Sequence, residues 1–283
     1  MPFLRIHRDP KPVVEPNPRA LFITGGIGDV LAVSCFRRVP DDLEVIYYAT
    51  PRFIEAREYL QQLAPRARHV SLWDDWSERC CFFSKADFAH ETGNTQAVAA
   101  VDWSIMEVFP KDMPFRGWPL SQISNLKSQF SNLTSLLPKR YAVFVPRSYN
   151  EYTAHRNFTS DELAATLSVA RARHMPLVVL HQGADATKQW PDAFGPPAGV
   201  VDLQNQLSLL GSIAVTRGAN MFISVDSMLS VVATKFLPAE RLLIKSVNPH
   251  CRRWQHTYFA PHKSFEFVVE SPIKRLRELK WTA

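Results

Sequence analysis

The sequence predicts an α/β protein made of two successive domains, each a parallel sheet with crossover helices. Three observations predict it. Short apolar runs of strand length alternate with helix-spaced segments along two separate stretches, which is the pattern of repeated strand–helix–strand units. A glycine-rich turn, Gly25-Gly26-Ile27-Gly28-Asp29, stands between the first strand and the first helix. Pro138-Lys139-Arg140 reads as a linker and divides the chain into 1–138 and 139–283. At 283 residues, 46% of them hydrophobic, the chain can build two cores of ordinary size.

Residues 1–19 are rich in proline and charge and read as an irregular arm. Residues 20–24 (ALFIT) form a short buried strand that runs into the glycine turn, and 30–38 follow with helical spacing of Leu31, Ser34, Cys35 and Arg38. Residues 43–49 (LEVIYYA) are the next strand, 54–63 an amphipathic helix and 68–72 (RHVSL) a third strand. The stretch 73–138 has weak periodicity, with Trp73, Trp76, Trp103 and Trp118 among several prolines; helices are expected near 84–89 and 121–137.

The second series begins with the strand 141–146 (YAVFVP). Thr159-Ser160-Asp161-Glu162 is a capping box, in which the threonine accepts from an amide of the first turn and the glutamate reaches back. It opens a helix through Arg173. Strands follow at 176–180, 200–203, 221–225 and 241–246, with helices at 207–217, 227–236 and 272–279. Two such series predict two Rossmann-like domains with a cleft between them.

The composition narrows the chemistry. With 33 Lys+Arg against 27 Asp+Glu the net charge is +6, which suits polyanions such as nucleotide sugars, phosphorylated glycans or nucleic acid, and equally a mildly basic soluble protein. Apolar runs such as 175–180 and 221–225 are strand-length and too short to span a bilayer, so no integral membrane segment is expected. The N-terminus lacks the apolar core of a secretory signal. Cys80 and Cys81 are adjacent while Cys35 and Cys251 stand apart; without a CxxC pair, neither a zinc site nor a disulfide framework is indicated, and a reducing cytoplasm is the expected compartment.

The glycine turn lets the backbone bend sharply and approach a ligand, and the helix start behind it favours an anion. A dinucleotide fingerprint needs a third glycine where this chain has Leu31, and a P-loop needs Gly-Lys-Ser/Thr, which is missing. The turn thus argues against NAD and against ATP hydrolysis. Asp29 opens the helix, where the dipole stabilises its charge; a plain capping carboxylate is the bland alternative.

The segment TGGIGDVLAVSCFRRV resembles the N-terminal corner of the ADP-heptose:lipopolysaccharide heptosyltransferase family. That resemblance implies a GT-B fold and an inverting, metal-independent transfer of sugar from a nucleotide diphosphate sugar. It places Gly26 and Gly28 in the ligand-facing turn and gives Asp29 the role of general base for the acceptor hydroxyl. RNFTSDEL, after the first strand of the second series, resembles the family's Lys-x-Trp-Pro-x-Glu segment, with Arg156 in the place of the donor-phosphate lysine and Phe158 in that of the tryptophan. Lys188 in KQWPD matches the same pattern, but Arg156 keeps the family order. VVLHQGAD resembles the strand and turn where Gly183 precedes Asp185, the acid that bonds the ribose. In the long run 200–236, Asp226 and Ser227 match an Asp-Ser/Thr helix start, while Met228 and Val231 replace a glycine and a histidine. The amides of residues 227–230, those of Ser227, Met228 and Ser230 among them, are then expected to hold the diphosphate beside Asp226. No cofactor is implied beyond the donor substrate, and no metal.

The same resemblance implies a glycan or lipopolysaccharide-type acceptor for the N-terminal domain. Two other readings stand beside it. One is a phage-type DNA glycosyltransferase acting on a hydroxylated base in the host cytoplasm, motivated by the basic charge, the short chain and the Arg252–Trp254 segment. The other is a non-catalytic nucleotide-sugar or polyanion-binding protein on the same fold. Cys80 and Cys81 read as core residues, His181 as a loop histidine, and Lys274, Arg275, Arg277 and Lys280 as a solvated helix face.

Overall fold

A computed structural model describes residues 17, 19–23, 30–31, 40, 42–48, 53–72, 103–104, 133, 135, 137–147, 157–180, 199–246 and 271–281, with the backbone alone at 53–56, 103–104 and 235. The chain divides into two compact units, Met1–Ile123 and Ser124–Ala283.

In the first unit β1 (Ala20–Ile23), β2 (Val45–Tyr48), β3 (Arg68–Ser71) and β4 (Trp103–Ser104) form a sheet in the order β3-β2-β1-β4. All pairings are parallel, with Ala20 opposite Val45 and Leu21 opposite Trp103. Every residue of β1 and β2 is buried. Such continuous apolar runs suit strands covered on both faces. β3, at the edge, is partly exposed. Helix α1 (Phe53–Leu63) crosses from β2 to β3. The two-residue β4 carries no alternating pattern and was not anticipated.

The second unit holds β5 (Ala142–Val145), α2 (Ser160–Ala172), β6 (Leu177–Val179), β7 (Val200–Asp202), α3 (Leu209–Gly218), β8 (Met221–Val225), α4 (Met228–Phe236), β9 (Leu242–Lys245) and α5 (Ile273–Glu278). Its parallel sheet runs β7-β6-β5-β8-β9. Successive strand residues point to opposite faces. Phe144, Leu177, Val179, Ile223, Val225 and Leu243 share one core with Leu163 of α2 and with Leu276, Leu279 and Trp281 at the C-terminus. Burying each such side chain contributes about 1.5–3 kcal/mol. Helix α4 packs on β8, β9 and α3.

The expected capping box is present: the Glu162 amide donates to Thr159 Oγ1 at 3.3 Å and the Thr159 amide to Glu162 Oε2 at 2.8 Å. Helix α2 ends with His174 in the left-handed region (φ 50°). There Met175 N–H returns to Ala170 O and His174 N–H to Arg171 O, a Schellman close. Of the helix expected over 121–137, Leu133 is helical, but Ser135 and Leu137 lie in a turn and a bend. Pro138 disfavours helical geometry in the residue before it.

Candidate functional site

In both sheets the order reverses beside the first strand. β5 leads through α2 to β6 on one side, while its other neighbour, β8, leads through α4 to β9. The carboxyl ends of β5 and β8 therefore send their connections apart, which leaves a crevice where α/β sheets bind ligands. β1 and β4 stand in the same relation in the first unit.

Asp226 and Ser227 lie at the carboxyl end of β8, both half-buried. Asp226 N–H donates to Lys245 O at 2.9 Å, which ties the turn to β9. Ser227 is the N-cap of α4, with extended backbone. Its N–H donates to Ser230 Oγ at 3.1 Å, the Ser230 hydroxyl donates to Ser227 O, and Ser230 N–H also reaches Ser227 O at 3.1 Å. Ser230 is fully buried, so its hydroxyl serves the cap. Ser224 Oγ lies 3.3 Å from Ser227 Oγ. With the amides of Ser227 and Ser230 engaged internally, those of Met228 and Leu229 continue a turn whose first amides have no carbonyl partner within the helix.

Across the crevice, Phe158 N–H donates to Pro146 O at 2.9 Å, so the chain leaving β5 returns to its starting point before α2 begins. A feature that sequence reasoning missed lies here. Lys245, the last residue of β9, places Nζ 2.6 Å from Glu162 Oε2 and 2.8 Å from Asn157 O, and 5.5 Å from the Phe158 ring centroid. The Phe158 ring meets Phe144 edge-on at 5.2 Å. Both charged side chains are buried, at 7% and 6% exposure. The available signal was a lysine closing an apolar strand (LLIK) at the carboxyl edge of the sheet. The next residue, Ser246, is fully buried, and its hydroxyl has no hydrogen-bond partner among the described residues.

The other sequence-derived candidates, Gly26, Gly28, Asp29, Arg156, Gly183 and Asp185, lie outside the described residues. Their flanks are placed. Ile23 ends β1, and Val30 and Leu31 are helical, so the glycine turn links a strand end at the β1/β4 reversal to a helix. Arg156 precedes Asn157, and Gly183 and Asp185 follow the end of β6 in sequence. Among the described residues no group of three or more His, Cys, Asp or Glu is placed to hold a metal ion, and no helix is long and apolar enough to cross a membrane.

No family profile and no curated protein matches the chain. Solved structures do. The structure of E. coli ADP-heptose LPS heptosyltransferase II is similar over 92% of this chain and 97% of its own, at 12% identity and a TM-score of 0.57. A glycosyl transferase family 9 protein from Veillonella parvula is similar over 93% and 92%, at 13% identity and a TM-score of 0.52. At such identities the likeness establishes the fold, which is of the GT-B kind.

Proposed function

We propose that this chain is an inverting, metal-independent glycosyltransferase that moves a sugar from a nucleotide diphosphate sugar to a hydroxyl of a glycan or lipopolysaccharide-type acceptor. The observation that carries the reading is the Asp226–Ser227 turn. It opens α4 at the reversal point of a parallel sheet, within a fold shared along nearly its whole length with two glycosyltransferases. A helix N-terminus at that point offers amides and a positive dipole end to a diphosphate.

In this reading the donor belongs to the second unit. The amides of Met228 and Leu229 and the Arg156 guanidinium meet the diphosphate, and Asp185, beside Gly183, bonds the ribose. Asp29 belongs to the acceptor, with Gly26 and Gly28 keeping the turn open. The acceptor oxygen attacks the anomeric carbon on the face opposite the diphosphate. The carbon–oxygen bond to phosphate breaks, the diphosphate leaves with the electron pair, and Asp29 takes the hydroxyl proton. Helix amides and arginine stabilise the charge that develops on the leaving group.

The test is a panel of nucleotide diphosphate sugars read by thermal shift, since a ligand that binds the folded chain raises its apparent stability. One donor is expected to raise the midpoint and to be consumed with an acceptor glycan. A panel that leaves the midpoint unmoved overturns it. Duplex DNA serves as the competing acceptor; binding that weakens steeply with salt and leads to transfer shifts the acceptor to nucleic acid.

A further inference from the structure

Lys245 joins the two sides of the β5/β8 crevice. Its carbonyl accepts Asp226 N–H at 2.9 Å on the α4 side. Its ammonium reaches the α2 side, 2.6 Å from Glu162 Oε2 and 2.8 Å from Asn157 O. The same carboxylate oxygen accepts Thr159 N–H at 2.8 Å, so the lysine is coupled to the first turn of α2 through the capping box. An ammonium carries three donors. Two are committed to Glu162 and Asn157, and the charge also lies 5.5 Å from the Phe158 ring centroid. With 7% of its side chain exposed, Lys245 is not itself placed as a phosphate ligand.

Stability alone is a weak reason for this pair. Burying two charges costs solvation that their attraction only partly returns, and apolar replacements of similar volume often stabilise a fold as well or better. Fixed geometry is what the pair supplies: one residue holds the Asp226–Ser227 turn by its backbone and the start of α2 by its side chain.

We propose that Lys245 and Glu162 are positioning residues for the donor site, setting the relation between the α2 and α4 N-termini and thereby the affinity for the donor diphosphate. The inference rests on the proposed glycosyltransferase reading. The test compares the full-length chain with the double variant Lys245→Met/Glu162→Gln, which removes both charges while keeping the lysine's apolar bulk and a capping acceptor. ADP, UDP and GDP are titrated in turn by calorimetry, and donor KM, acceptor KM and kcat are measured beside the thermal midpoint. The expected result is a loss of about tenfold or more in diphosphate affinity and a matching rise in donor KM, with acceptor KM and the midpoint little changed; small misplacements cost this much in a preorganised site. Equal diphosphate affinity in both chains overturns the inference and leaves the glycosyltransferase reading standing. A wild-type chain that binds none of the three and turns over no donor overturns both. Should the double variant fail to fold, Lys245→Arg carries the test: the charge stays but the fork geometry changes. Donor KM is then expected to rise several-fold at constant acceptor KM, and an unchanged donor KM overturns the inference.

Discussion

The two sheets share a topology around their reversal points, β2-β1-β4 in one and β6-β5-β8 in the other, but their carboxyl edges are furnished differently. Beyond β1 the sequence supplies a glycine turn ending in Asp29, with no basic residue until Arg37. Beyond β5 and β8 it supplies two helix starts bridged by a buried lysine. The ion pairs differ in the same way. Arg19–Glu44, at 3.1 Å, joins the amino ends of β1 and β2 and is 60% and 55% exposed. Lys245–Glu162 sits at the carboxyl edge and is almost wholly desolvated. One topology thus presents two carboxyl edges that carry different residues.

The sharpest way to break this division is Asp29→Ala. If the first crevice serves the acceptor, turnover falls by about 10²–10⁴-fold, the usual contribution of a general base, while diphosphate affinity is retained. Steady-state kinetics and a binding titration on the same preparation check it. A loss confined to diphosphate affinity would reverse the assignment of the two crevices.

The two ion pairs give the next test. Lys245→Met alone leaves Glu162 buried without its counter-charge, and about 3–5 kcal/mol of stability is expected to go. Arg19→Met breaks a solvated pair and costs about 0–1 kcal/mol. Denaturant unfolding separates the two; equal costs would mean that burial does not distinguish the edges. Thr159→Ala falls between them at about 1 kcal/mol, because it removes one half of the capping box that also anchors Glu162.

What the sequence made legible was local. β8 occupies the expected residues 221–225, and the capping box at Thr159 and Glu162 is present as read. Both depend on neighbours within a few positions, or on a run of apolar residues buried on both faces. The partner of Glu162 was not legible, because Lys245 lies 83 residues away and only the parallel register of β8 and β9 brings it there. β4 was missed for a related reason: two residues amid tryptophans and prolines carry no period, and their strand character comes from pairing with Leu21 and Phe22. At the site, Asp226 and Ser227 were readable as a helix start after an apolar strand. Ser230 spends its hydroxyl on the cap three residues after Ser227, the spacing of the Thr159–Glu162 box, but with a serine in place of the glutamate that marks such a box in a sequence.

The smallest expected effect is one of pH, and it belongs to the first unit. Tyr48 Oη and His69 Nδ1 share a 2.6 Å hydrogen bond, and their rings stack with centroids 5.7 Å apart. Burial, reinforced by the Arg57 charge, holds His69 below its ordinary value of 6.5; burial likewise holds the Tyr48 phenol protonated far into the alkaline range. In the window below 6.5 the unfolded chain protonates this histidine while the folded chain keeps it neutral. The unfolded state then binds more protons, so stability rises with pH. The contribution is complete above about pH 6.5 and is lost as pH falls toward the depressed folded value. His69→Gln keeps a hydrogen-bonding group near Tyr48 but cannot titrate. Thermal midpoints between about pH 7 and 5.5 are therefore expected to fall less steeply in this variant than in the parent. A slope unchanged by the substitution would place the sensitivity outside the Tyr48–His69 pair and remove it from the contrast between the two units.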